Sequence, residues 1–220
     1  DLAHELVKIK VDVPLEVGIE DLSVTEPNFE ELSKLYEELE FNSWLQEAPK
    51  KSAARPEMNS SYICISTKEN LKQVIKDASK SKVIALDTET TGLDYMDADL
   101  VGISLSFKAG EAFYIPLQHQ DDSIKQLDLD VVLKELKPLL EDSKNKIIGQ
   151  NIKFDRNVLA KYGVNISSIK NDTMMMSYVL DASATRHNLD ALSSYYLNYK
   201  TSTFEEVAGK GVKQVTFDQV

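Results

Sequence analysis

From residue 61 onward, apolar positions follow two rhythms. Val83-Ile84-Ala85-Leu86 is a run of four apolar residues, two of them β-branched, and reads as a strand buried on both faces. Tyr62-Ile63-Cys64-Ile65 predicts a short strand. Leu100 to Phe107 and Glu111 to Ile115 predict two more, joined as an antiparallel hairpin by the turn Lys108-Ala109-Gly110. Lys146-Ile147-Ile148-Gly149 reads as a brief buried strand. It should run parallel to the Val83–Leu86 strand, because a helix crosses over between them. Helical spacing predicts Thr67 to Ser79, with Leu71, Val74 and Ile75 on one face. It also predicts Leu127 to Leu140, carrying Val132, Leu133, Leu136 and Leu139. Asn151 should open a helix reaching Tyr162 and closed by Gly163, Asp172 should cap Thr173–Leu180, and a last helix should span His187–Leu197. A hairpin, a βαβ-like unit and several helices predict an α/β fold, a mixed sheet flanked by helices.

The first 60 residues read differently. Val11 to Val17 is a short extended piece in which Pro14 is unsuited to a central strand. From Asn28, a candidate N-cap with Glu31 as capping-box partner, Leu32, Leu35, Tyr36, Leu39, Trp44 and Leu45 fall near a 3.6 period. Residues 46–60, with two prolines and several Lys and Ser, read as a linker. The expected organisation is a flank over 1–45, a linker over 46–60 and a domain over 61–220.

Composition narrows the classes. A hydrophobic fraction of 42% suits a globular protein, and no apolar run approaches the roughly 20 residues of a membrane helix. The chain opens Asp1-Leu2-Ala3 without an initiator Met, as if cut from a longer one. The single cysteine, Cys64, excludes an internal disulfide framework and fits a reducing, cytoplasmic setting. Three scattered histidines suggest neither a zinc site nor a Ser-His-Asp triad. The net charge of −11 argues at first against nucleic acid, yet it is uneven. Residues 1–60 hold 6 Lys/Arg against 14 Asp/Glu, and residues 61–220 hold 19 against 22. Three carboxylates facing cations would bring the second part near neutral.

Those carboxylates are identifiable. The buried strand ends in Asp87-Thr88-Glu89, and residues two apart on a strand point the same way. Side by side, two carboxylates repel unless one is protonated or a cation lies between them, and all-oxygen donors suit Mg²⁺ or Mn²⁺. The plainer reading is a solvated acidic strand end. The second signal is Gly149-Gln150-Asn151-Ile152-Lys153-Phe154-Asp155, where a strand passes at once into a helix. Asp155 lies in the first turn, favoured there by the helix dipole alone. If the two strands are neighbours, it would also approach the end of the Asp87 strand, where open α/β sheets bind ligands.

Asp-x-Glu-Thr-x-x-Leu followed by Gly-Gln-Asn-x-Lys-x-Asp resembles the first two motifs of the DEDD exonucleases. More narrowly, it resembles the 3′→5′ proofreading domain of family-A, polymerase I-type bacterial DNA polymerases. The likeness runs from about Ser61 to Val220 and includes Asn171-Asp172-Thr173-Met174, Arg186-His187 and the segment from Thr203 to Gly211. Residues 1–60 resemble the end of the 5′-nuclease region that precedes this domain in such polymerases. The resemblance implies a ribonuclease H-like fold and two-metal hydrolysis of the terminal phosphodiester at a single-stranded DNA 3′ end. By motif position, Asp87, Glu89 and Asp155 would be catalytic and hold the metals, two Mg²⁺ or Mn²⁺ ions, with Zn²⁺ admissible at one site. Thr90, Leu93, Gln150, Asn151, Arg186 and Phe204 would contact the DNA without reading its sequence. The implied partners are the 3′ end and a polymerase region in the full-length chain, with no membrane and a monomeric state.

One family element is missing. The third motif, Tyr-x-x-x-Asp, normally follows the Phe204 segment by a short helix and supplies a fourth carboxylate and a tyrosine. The sequence ends at Val220 before it, and Tyr95 to Asp99 is a chance match on the wrong element. Two rivals therefore stand beside the main reading. One is a ribonuclease D- or T-like exonuclease acting on RNA. The other is a non-catalytic exonuclease-like module that binds DNA or braces a polymerase. Met174, Met175 and Met176 are expected as core filler, and Asp172 as a helix cap.

Overall fold

The computed structural model describes residues 2–24, 26–39, 41, 44–45 and 60–220. The chain divides into two compact units, Asp1–Ala53 and Ala54–Val220. All but Ser60 of the expected linker lies outside the described residues.

In the first unit, helix α1 (Leu2–Val7) and helix α2 (Phe29–Glu38) bury no residue. The Asn28 side chain caps α2 by accepting from the Glu31 backbone N–H at 3.4 Å. The apolar stripe of α2 is met by aromatics: the Trp44 ring lies 5.6 Å from Tyr36 and 5.0 Å from Phe41. Val11 to Val17 joins no strand and remains exposed.

The second unit is built on a six-stranded sheet of order β1-β4-β3-β2-β5-β6. Its strands are β1 (Ser61–Cys64), β2 (Ile84–Thr90), β3 (Leu100–Lys108), β4 (Glu111–Pro116), β5 (Ile147–Gly149) and β6 (Ile169–Asp172). The apolar run of β2 makes it a central strand, antiparallel to β3 and parallel to β5, as the crossover helix requires. The β3–β4 hairpin is antiparallel, and β1 adds to β4 in parallel. Strand β6, which no apolar run announces, pairs in parallel with β5 and sets Asp172 beside Gly149.

The helices follow the sequence rhythm, with shifts at their starts. Helix α3 (Lys68–Ala78) is capped by Thr67 and buries Leu71, Val74 and Ala78. Helix α4 (Leu129–Glu141) starts two residues later than expected, because Asp128 accepts from the Val131 N–H. Helix α5 (Lys153–Lys161) also begins two residues late, because Asn151 adopts the left-handed conformation, φ 53°. Helix α6 (Thr173–Leu180) and helix α7 (Leu189–Leu197) follow, the latter capped by Asn188 with His187 left-handed before it. Helix α8 (Phe204–Ala208) carries a full Thr203/Glu206 capping box. The core joins β2, β3 and β4 to α3, α4 and α5, with Ile84, Leu100, Ile103, Leu136 and Ile147 fully buried. Met175 and Met176 are half exposed and are not core filler. Instead they line an open apolar cleft of about 900 Å³ between α6 and α7. No helix among the described residues is long and apolar enough to cross a membrane.

Candidate active site

Strand β2 ends in Asp87-Thr88-Glu89-Thr90, at the middle of the sheet. The alternation that sets Asp87 and Glu89 on one face turns Thr88 to the other, where it is buried. Asp155, only 2% exposed, reaches this point from the first turn of α5. Its Oδ1 accepts from the Thr88 backbone N–H at 2.8 Å and from Thr88 Oγ1–H at 2.6 Å. The helix acid is thus tied to the residue between the two strand acids. Hydrogen bonds to a carboxylate are among the stronger kind, and two on one oxygen hold it against rotation.

Three acids packed this way disturb one another. The Glu89 carboxyl is raised from 4.5 to about 7, first by burial and then by the charges of Asp87 and Asp155. Asp155 is also raised, from 3.8 to about 7, by burial, with the Asp87 charge adding and the Thr88 bonds opposing. Burial raises Asp87 as well. Water reaches Asp87, which is an exposed residue, so less weight falls on it than on the other two. The donors are all oxygens, the chemistry a hard divalent cation prefers. As the side chains stand, no three His, Cys, Asp or Glu among the described residues group closely enough to hold a metal ion.

A tyrosine backs the Glu89 side of the sheet. Gly102 on β3 lies directly opposite Glu89, and a Cβ there would fall 2.1 Å from the Tyr114 hydroxyl. Glycine therefore leaves room for the phenol, which hydrogen-bonds His119 Nε2 at 2.7 Å. Burial first, and the Glu89 charge second, raise the Tyr114 pKa, so the phenol keeps its proton. The His119 ring is tilted against Phe217 at 5.9 Å, and Phe217 stacks with Phe204 at 6.4 Å. A line of ring contacts thus runs from Phe204 to the neighbourhood of Glu89.

The other sequence-predicted positions are placed as follows. Leu93 is 95% exposed just past β2, and Thr90 Oγ1 donates to the Gly92 carbonyl at 2.7 Å, tightening that turn. Phe204 is 46% exposed at the start of α8, and Arg186 is exposed in the loop before α7. Gln150 is engaged at both ends of its amide. Thr173 Oγ1 donates to its Oε1 at 2.6 Å, and its Nε2 donates to the His187 carbonyl at 2.8 Å. That second bond ties the second motif to the residue after Arg186. Asn151 keeps its Oδ1 buried without a partner among the described residues. Sequence reasoning missed three supports: Thr88, Tyr114 with Gly102, and the reach of Asp172. For Thr88 a signal existed, a small hydroxyl residue between two acids. For Tyr114 the strand alternation offers none.

Comparison with known proteins agrees with this arrangement. Residues 62–220 match the family model described as 3′-5′ exonuclease. DNA polymerase I of Pseudomonas aeruginosa is 42% identical over 231 residues, covering all of this chain and 25% of that protein. DNA polymerase I of Rhizobium leguminosarum is 37% identical over 186 residues, 76% of this chain and 18% of that protein. The chain therefore spans about a quarter or less of the length of these curated relatives. Among solved structures, the POL domain of Pol1 from M. smegmatis shares the fold, with a TM-score of 0.52 at 18% identity over 64% of this chain and 23% of that one. The six-stranded mixed sheet is ribonuclease H-like, and the chain belongs to the 3′-5′ exonuclease family in the form found in DNA polymerase I.

Proposed function

We propose that residues 61–220 form a proofreading exonuclease domain that hydrolyses the terminal phosphodiester of single-stranded DNA 3′ ends. The observation that carries this reading is the bonding of Asp155 to Thr88, between Asp87 and Glu89, which joins two motif segments 67 residues apart. Asp87, Glu89 and Asp155 would hold the divalent cations, Mg²⁺ or Mn²⁺, with Zn²⁺ admissible at one site. Their donor chemistry fits such ions, because a cation relieves the repulsion and burial that otherwise push these carboxyls toward neutrality. When bound, the ions supply a nucleophile from water near neutral pH and stabilise the charge developing on the leaving oxygen.

The chain's own residues do the rest. Thr88 orients Asp155, while Leu93 and Phe204 offer exposed apolar and aromatic surface to the last bases, with the half-buried Thr90 beside Leu93. Arg186 offers charge to the backbone, and Gln150 and Asn151, in the turn before α5, would lie close to the terminal nucleotides. Residues 1–45 are read as the end of a 5′-nuclease region, 46–60 as a linker, and a polymerase region, the bacterial cytoplasm and a monomeric state complete the proposal.

A non-catalytic, DNA-binding role is the alternative that the test separates from hydrolysis. The deciding experiment is degradation of 5′-labelled single strands with Mg²⁺ or Mn²⁺, comparing deoxy- and ribo-ended substrates. The comparison takes in this chain, its Asp87→Ala variant and a longer chain continued as in the P. aeruginosa relative. Laddering from the 3′ end of DNA, abolished by Asp87→Ala, is expected. Binding without cleavage by either chain would establish the non-catalytic module, and faster loss of ribo-ended strands would establish an RNA enzyme.

A further inference from the structure

Asp172 does more than the helix cap its sequence position suggests. As a cap it accepts the Met174 and Met175 backbone N–H groups on Oδ1, at 2.9 and 3.3 Å. It also reaches back some twenty residues. Oδ1 accepts the Asn151 N–H at 3.1 Å, and Oδ2 accepts the Ile152 N–H at 3.0 Å. The pairing of β6 with β5 places Asp172 beside Gly149, so its side chain faces the turn that follows. Thr173 completes the grip with the opposite polarity, its hydroxyl lying 3.2 Å from the Gly149 carbonyl and 2.6 Å from Gln150 Oε1.

Capping alone does not call for a carboxylate, since serine and asparagine serve helix N-termini equally well. The second oxygen is spent on the turn Gly149–Ile152. That turn needs an external hold. Asn151 is left-handed, a conformation asparagine tolerates better than most residues but one that breaks the helical run, so its N–H is bonded by Asp172 and not within a helix. The turn also presses on the strand bearing the acids: a Cβ at Gly149 would lie 2.9 Å from the Leu86 carbonyl oxygen, the residue before Asp87. Helix α5 starts immediately after this turn, and Asp155 sits in its first turn. Whatever fixes the turn therefore fixes the place of Asp155 along β2.

We propose that Asp172, assisted by Thr173, is a positioning residue of the exonuclease site, holding the second motif in register so that Asp155 meets Thr88. The kinetic arm of the test rests on the hydrolytic reading above, whereas the exchange arm does not. Asp172→Ser keeps a helix cap but is too short to reach the turn. Asp172→Asn keeps an Oδ1 acceptor for Asn151, Met174 and Met175 and loses only the bond to Ile152.

In the full 220-residue chain, amide hydrogen exchange in Asp172→Ser is expected to rise about tenfold or more at Asn151 and Ile152, with Met174 and Met175 still protected. That is the response to losing direct hydrogen bonds. Asp172→Asn should raise exchange at Ile152 alone. On labelled DNA, Asp172→Ser should lower kcat about tenfold or more while KM stays within about threefold, with Asp172→Asn restoring part of kcat. Equal loss of protection at all four amides, no loss at any, or an unchanged kcat beside an active wild type would overturn the proposal. If the wild-type chain cleaves nothing, the hydrolytic reading fails, and the exchange pattern alone decides the role of Asp172.

Discussion

Replacing Glu89 by Gln should stabilise the cation-free protein at pH 8 and leave it nearly unchanged at pH 4.5. In the folded state the Glu89 carboxyl titrates at about 7 instead of 4.5, so the fold binds its proton more tightly than the unfolded chain does. Between those values the folded protein carries more protons, so stability falls as pH rises across the window and levels off above about 7. Each pKa unit corresponds to about 1.4 kcal/mol, so a raising of roughly two and a half units has a ceiling near 3.5 kcal/mol. Glu89 retains some contact with water, and screening reduces this to about 1–2 kcal/mol. Glutamine keeps the shape and removes the charge, and it also relieves the repulsion on Asp87 and Asp155. Urea unfolding followed by circular dichroism, in EDTA at pH 4.5, 6 and 8, measures the effect. The wild type should lose stability across the series and Glu89→Gln should lose less. Parallel pH curves for the two proteins, or a variant less stable at pH 8, would refute the reasoning. Adding Mg²⁺ at pH 8 should then stabilise the wild type more than the variant, since a ligand of the folded state stabilises in proportion to its occupancy.

Other substitutions test neighbouring parts of the site. Thr88→Val removes the hydroxyl bond to Asp155 while leaving the backbone one; it should cost about 1–2 kcal/mol in urea unfolding and slow single-turnover cleavage about tenfold. Unchanged cleavage would mean that the hydroxyl does not set the position of Asp155. Gly102→Ala places a methyl group against the Tyr114 hydroxyl and should destabilise by about 1–3 kcal/mol; the double variant with Tyr114→Ala should recover part of this, and an additive loss would contradict the packing argument. Leu93→Ala alters a side chain that is 95% exposed, so the melting curve should hold within about 0.5 kcal/mol while the Kd for a DNA 3′ end rises; an unchanged Kd would remove Leu93 from the interface.

Much of the second unit was legible because its signals are local. The double-faced apolar run at Ile84 to Leu86 marks a central strand, and the crossover rule makes its pairing with β5 parallel. Where the sequence misled, a local preference yielded to the polar demands of a neighbour. Asn151 looks like a helix opener, yet it turns left-handed because the Asp172 carboxylate binds the N–H groups of Asn151 and Ile152. His187 reads as the first residue of a helix, yet its ring is buried against Ser177 Oγ at 2.9 Å and Asn188 caps the helix instead. Strand β6 carries Lys170 and Asn171 and shows no apolar alternation, so only its partner β5 reveals it. The three methionines fit a core in composition, but the helix bearing them turns Met175 and Met176 to the open cleft. The acids of the site were legible as types at a spacing. Their anchor was not, because a threonine between two acids gains meaning only when the fold brings Asp155 to it.

The most direct test asks whether the acids of β2 and α5 act as one hydrolytic unit. It is single-turnover cleavage of a 5′-labelled DNA strand with Mg²⁺ by the wild type, Asp87→Asn, Asp155→Asn and the double variant. Each single change is expected to abolish 3′-end laddering to the same floor, with the double variant no worse, as groups acting together are not additive. Additive partial losses, or an Asp155→Asn variant as fast as the wild type, would contradict the account.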